Sequence, residues 1–127
     1  MTEKEILEDH LKPLEIYGPK FVGVETGGHC QGFPDVFYSF AGHSGIIELK
    51  QMKRAEGQIR IPYRPGQLPF LIEHGRRSHY TFLLVYYGDT FYLVQKEFQR
   101  EYENEKELEA ASCHKTKTLG KGFLNLL

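Results

Sequence analysis

Pro34-Asp35 and Glu48-Leu49-Lys50, with twelve residues between the two acids, are the part of this 127-residue sequence best equipped to do chemistry. Two carboxylates and an ammonium can hold a divalent cation against a phosphodiester and activate a water beside it. Oxygen ligands of this kind suit Mg²⁺, with Mn²⁺ as a substitute, because these ions keep several waters and share the phosphate. Lys50 could orient the attacking water or neutralise charge developing on the phosphorane. In-line attack would release a 3′ alcohol and leave a 5′ phosphate. An Asp facing a Glu-x-Lys is ordinarily a cross-strand ion pair. Here the three groups fall in an apolar strand context, where unpaired buried charge is costly, and that favours a working site.

Two adjacent strands have to deliver these side chains. Asp35 to Phe40 reads as one strand, Ala41 to Gly45 as a reversal, and Gly45 to Gln51 as the next strand. The two-residue period of a strand puts Glu48 and Lys50 on one face and turns Leu49 to the other. Before this hairpin, Thr2 to about Tyr17 has the pattern of an amphipathic helix. Thr2 with Glu5 forms a capping box, Ile6, Leu7, His10, Leu11 and Leu14 recur at helical spacing, and Pro13 predicts a kink. Phe21 to Thr26 is a short strand, and the run from Gly27 to Gly32 is a glycine-rich turn. After the hairpin, Lys53 to Gly66 is polar and basic with Pro62 and Pro65, and a mobile loop is expected. Gln67 to about His74 is a short helix with Gly75 as its stop. Tyr80 to Tyr87 is a strand apolar enough for the centre of a sheet. Gly88-Asp89 turns into a strand over Thr90 to Gln95. Lys96 to about Ser112 reads as a polar helix, and Leu119 to Leu127 as a short hydrophobic tail. The expected order, α-β-β-β-α-β-β-α over a single domain of residues 1–127, is that of an α/β layered domain.

Composition narrows the function further. Hydrophobic residues make up 40% and charged residues 26%, values of a soluble globular chain. No run approaches the roughly 20 apolar residues of a membrane span, and the acidic start lacks signal-peptide order, so a cytoplasmic protein without membrane contact is expected. Cys30 and Cys113 are too few for a disulfide framework. Each adjoins a histidine (His29, His114), which makes a two-Cys, two-His zinc site formally possible, but the spacings are not those of structural zinc. There is no P-loop or dinucleotide fingerprint, hence no nucleotide cofactor. The net charge of −1 conceals a basic segment. Residues 50–77 carry seven bases against Glu56 and Glu73, a local balance of +5. Lys53, Arg54, Arg60, Arg64, Arg76 and Arg77 are therefore candidates for phosphate contacts that position DNA rather than read it.

Gly32-Phe33-Pro34-Asp35 with Ile47-Glu48-Leu49-Lys50 resembles the PD-(D/E)XK nuclease superfamily, which has a restriction-endonuclease-like fold of a mixed β-sheet flanked by helices. Within it the chain is most similar to small VRR-NUC-type nucleases and to related phage and Holliday-junction-resolving enzymes. The resemblance spans about residues 3–87. It implies that Asp35 and Glu48 are metal ligands and Lys50 the catalytic lysine. It also implies a role for Gln67, matching a helix-borne glutamine near the site, and for an acid on the N-terminal helix as a further catalytic and metal-binding group. Glu3 fits that last position, because it shares a helix face with Leu7, His10 and Leu14, whereas Glu5, Glu8 and Glu15 point away.

Neighbouring residues have lesser expected roles. His29 and Gln31 could touch substrate or be turn residues, His10 is a core histidine, and His43 is solvated. Tyr63, Phe70 and Tyr80 could stack on unpaired bases, although core packing suits Phe70 and Tyr80 better. The resulting expectation is a Mg²⁺-dependent DNA endonuclease selective for branched DNA, such as a junction resolvase. It would act as a homodimer because two strands need two metal centres, with Lys115, Lys117, Lys121 and the apolar tail helping dimerisation or DNA holding. A site-specific homing or restriction-like endonuclease and a non-catalytic DNA-binding subunit are the alternatives.

Overall fold

A computed structural model of the chain describes residues 1–24 and 32–127. The end of the expected strand at Glu25-Thr26, most of the glycine turn, and His29, Cys30 and Gln31 lie outside the described residues. The hairpin forms as the sequence predicts. Strand β1 (Lys20–Gly23) pairs antiparallel with β2 (Val36–Phe40), and β2 with β3 (His43–Met52). The reversal is tighter than expected: only Ala41 and Gly42 lie between Phe40 and His43. Both have positive φ, 53° and 84°, which is the type I′ geometry that matches strand twist. The register pairs Val36 with Ile47, so one step further along Asp35 stands opposite Glu48.

After β3, a two-residue strand β4 (Ile59–Arg60) precedes helix α1 (Gln67–Arg77), and strand β5 (Thr81–Tyr87) then runs parallel to β3. A parallel neighbour requires a crossover, and α1 supplies it. Strands β6 (Thr90–Val94) and β8 (Ser112–Thr116) complete a six-stranded sheet of order β1-β2-β3-β5-β6-β8, while β4 pairs separately with β7 (Glu101–Tyr102).

Each sheet face has its own core, and strand alternation sorts the residues between them. Phe82 and Leu84 of β5 join Ile47, Leu49, Val36 and Tyr38 in the core under the N-terminal helix. Leu83 and Val85 join Leu68 and Leu71 of α1, with Ile59 and Ile61, on the opposite side. The N-terminal helix begins as an α-helical turn at Glu3–Glu5, capped by Thr2, whose hydroxyl accepts the Glu5 N–H at 3.2 Å. It widens to π geometry over Ile6–Leu11 and tightens to 3-10 over Lys12–Tyr17. Pro13 lacks an N–H and crowds the preceding turn, so the predicted kink takes this form.

Further expectations change. The 53–66 segment is anchored: Ile59 and Ile61, alternating apolar residues, are buried, and β4 fastens to β7. Helix α1 continues through Gly75 to Arg77. Gly75 is there for packing, since a Cβ would sit 3.0 Å from the Phe98 ring. Of the expected helix over Lys96–Ser112, only Glu105–Ala111 (α2) forms, capped by Asn104, and strand follows at once in β8. The apolar tail is no docking surface: Leu119, Phe123, Leu124 and Leu127 fill the first core, with Lys121–Leu124 forming helix α3. His43 is also half-buried, with Nε2 2.9 Å from the Leu127 carbonyl, rather than solvated. Among the described residues no helix is long and apolar enough to cross a membrane.

Candidate active site

Strand β3 carries Glu48 and Lys50 into the interior, 1% and 2% exposed. Asp35, immediately before β2, is tied across by its Oδ2, which accepts the Leu49 N–H at 3.0 Å. The Lys50 ammonium donates to Gln67 Oε1 at 2.8 Å and lies 3.3 Å from Glu48 Oε2 and 3.9 Å from Glu3 Oε1. Gln67 is buried at the first position of α1, and the same oxygen accepts the Arg64 N–H at 2.7 Å. One amide therefore holds both the lysine and the turn entering the helix. Backbone contact fixes that helix end against the loop preceding Asp35: a Cβ on Gly32 would stand 2.3 Å from the Gly66 carbonyl oxygen.

The electrostatics are those of an unfinished site. Both carboxyl oxygens of Glu48 are buried without a hydrogen-bond partner. Burial, followed by the nearby Asp35 charge, raises its pKa to about 8 against the opposing pull of Lys50. Leaving such atoms unsatisfied costs free energy unless something completes them. Carboxyl oxygens without a hydrogen bond, facing a second carboxylate, are the donors a hard cation takes, and Mg²⁺ needs only one or two carboxylates beside water and phosphate. The residues present therefore fit such an ion.

The sequence-selected residues converge unequally. Asp35, Glu48, Lys50 and Gln67 meet in one place. Glu3 reaches it through Lys50, but among the described residues no three His, Cys, Asp or Glu side chains gather as a metal cluster, so Glu3 does not complete one with Asp35 and Glu48. Of the candidate DNA contacts, Arg64 lies by the site, 3.6 Å from Asp35 Oδ1. Arg54 is bound to Glu105 and Asp89, Arg60 to Glu101, and Arg76 and Arg77 to Glu73. The +5 segment thus meets several acids from elsewhere in the chain. Lys53 is exposed.

Tyr63 belongs to the site in a way the sequence reading missed. Its ring lies under Lys50 Nζ at 5.9 Å, its hydroxyl is buried without a partner, and burial pushes its pKa well up, with a smaller push from Glu48. The alternation Ile59, Ile61, Tyr63 is a legible signal that this side chain turns inward.

The strand order and the parallel crossover through α1 are those of a restriction-endonuclease-like fold. Among solved structures the chain is similar to Hjc, a Holliday junction resolvase from the archaeal hyperthermophile Archaeoglobus fulgidus. The TM-score is 0.56 at 13% identity, covering 83% of this chain and 88% of that one. No family model matches the sequence, and no curated protein sequence does. The likeness is one of fold.

Proposed function

We propose that the chain is a divalent-metal-dependent endonuclease that hydrolyses phosphodiester bonds in DNA and selects branched substrates by shape. The observation that carries this reading is Glu48, buried with neither oxygen hydrogen-bonded, opposite Asp35 and ion-paired with a lysine held by Gln67. Asp35 and Glu48 would hold Mg²⁺ or Mn²⁺. When bound, the cation polarises a phosphoryl oxygen and lowers the pKa of a water. Glu48 must surrender its proton for the site to load. Lys50, fixed by the Gln67 amide, presents its positive charge where negative charge grows on the phosphate, which is electrostatic preorganisation. Arg64, exposed beside Asp35, is positioned to meet a neighbouring phosphate. Glu3, 3.9 Å from the Lys50 ammonium, would temper the lysine charge.

Branched DNA is favoured over a defined sequence by the likeness to a Holliday junction resolvase. One centre per chain cuts one strand, so symmetric cutting of a junction calls for a homodimer. The test is cleavage of supercoiled plasmid, linear duplex, flap and four-way junction in Mg²⁺, Mn²⁺ or EDTA, with Asp35→Ala beside the wild type. Preferential cutting of branched DNA, lost in EDTA and in Asp35→Ala, is expected. Undiminished cutting by Asp35→Ala would remove the site assignment, and equal cutting of all four substrates would remove the shape selectivity.

A further inference from the structure

A line of aromatic rings leaves this site along the outer side of α1. Phe33, two residues before Asp35, lies 5.5 Å from Phe70 between ring centroids, and Phe70 lies 5.6 Å from His74 with the planes 9° apart. His74 is locked in place. The Thr81 hydroxyl donates to the Ser78 carbonyl, so at 2.7 Å it accepts from His74 Nδ1–H. Next to Thr81, Tyr80 is 36% exposed and stacks on His43 at 4.0 Å. Beside these rings opens a mostly apolar cavity of about 480 Å³, lined by Gly66, Pro69, Phe70, Glu73, His74 and Arg77.

Phe33, Phe70 and His74 are half-buried. The cavity lies near the candidate site: Gly66 of its lining immediately precedes Gln67 and packs against Gly32, three residues before Asp35. The charged groups around it carry a small net positive charge, three guanidiniums against Glu73 and Asp35. Arg64 precedes the helix, Arg76 and Arg77 close it, and Glu73, the acid of the lining, is shared by the last two. Flat apolar rings framed by guanidiniums are what a single strand of nucleic acid requires, with bases on the rings and phosphates on the cations.

We propose that this track is a stacking platform for unpaired nucleotides beside the scissile phosphate. The ligand is DNA carrying a single-stranded segment next to a duplex, as in a flap or an opened branch. The adjacency to the scissile bond rests on the nuclease reading, whereas binding of unpaired DNA can be measured without cleavage. Ring faces accept any base, so the platform would be indifferent to sequence.

The experiment uses the full chain in EDTA and a duplex with a single-stranded tail whose first unpaired nucleotide is the fluorescent base 2-aminopurine. Binding should quench its emission, and the tailed duplex should bind about tenfold more tightly than a blunt one, the scale of one stacked base. Phe70→Leu should lower the tailed-to-blunt affinity ratio about tenfold and restore emission, while Phe70→Tyr keeps both. Unchanged emission with the wild type, or a ratio untouched by Phe70→Leu, would overturn the proposal. So would sedimentation showing that Phe70→Leu splits a dimer while tail preference persists, since the face would then join two copies of the chain. Quenching and tail preference without cleavage of any substrate in Mg²⁺ would end the nuclease reading and leave the platform standing. Cleavage of branched DNA with a ratio of one would do the reverse.

Discussion

Two charge clusters in this molecule use the same side-chain chemistry in opposite ways. At the surface, Arg54 donates to both Glu105 oxygens at 3.1 and 3.0 Å and to Asp89 at 3.0 Å, and Lys117 also donates to Asp89. Every acid there is well partnered, and both pKa values fall: Asp89 first through Lys117, Glu105 first through Arg54. In the interior, Lys50 faces Glu48 with only Gln67 as a good acceptor, and the Glu48 pKa rises instead. Saturated exposed pairs contribute little, because water competes and salt screens them. A buried acid without hydrogen bonds lowers stability, and proteins keep that kind of cost where it serves a reaction.

The largest test of this contrast is Lys50→Ala, which should slow single-turnover cleavage by about 1000-fold or more if Lys50 stabilises charge at the phosphate. Retention of wild-type rate would make the buried cluster a structural ion pair after all. Next comes the pH dependence of stability. Glu48 has a folded pKa near 8 and an ordinary value of 4.5, so between them the native state holds a proton that the unfolded state has released. Stability contributed by this group is fully present below about pH 4.5 and falls as pH rises towards 8. In metal-free protein, Glu48→Gln should therefore raise unfolding free energy at pH 8 by on the order of a few kcal/mol. It should gain nothing at pH 4. Denaturant titrations at the two pH values decide this, and an equal effect at both would break the comparison. Mg²⁺ should stabilise the wild type at pH 8 by mass action and leave Glu48→Gln nearly unmoved.

Gln67→Ala should be milder, reducing kcat about 10- to 100-fold with KM little changed, because it loosens the lysine without removing it. A rise in KM alone would instead make Gln67 a substrate contact. The smallest effect belongs to the surface: Glu105→Gln should shift Tm by less than about 2 °C, and the shift should vanish in high salt. A larger shift than that of Glu48→Gln at pH 8 would invert the contrast.

How much of this was legible in the sequence follows from what each element rests on. The β2–β3 hairpin and the facing of Asp35, Glu48 and Lys50 depend on period two and a glycine turn, both visible in the chain. The central β5 announces itself as Thr-Phe-Leu-Leu-Val-Tyr-Tyr. Strand β8 does not, because Ser112-Cys113-His114-Lys115-Thr116 sits at a sheet edge with no fully buried residue to reveal alternation. Its neighbours, rich in Glu and Lys, have high helix propensity, which extended the expected helix well beyond Glu105–Ala111. Gly75 misled for a related reason: a helix stop and a packing glycine look alike until Phe98 is in place. At the site, the acids and lysine could be found by type and spacing. That the basic residues would meet Glu101, Glu105 and Asp89 depends on long-range contacts with no local trace.

The contact of Gly32 with Gly66 bears on how such a site can change over generations. One backbone leads to Asp35, the other to the glutamine that steadies the lysine, and they touch with no space for a side chain. A residue larger than glycine at position 32 would act as a wedge, moving Asp35 and Gln67 together. Substitutions near either would then be felt by both, and their effects on rate should fail to add. Asp35 and Gln67 are in that sense inherited as a block.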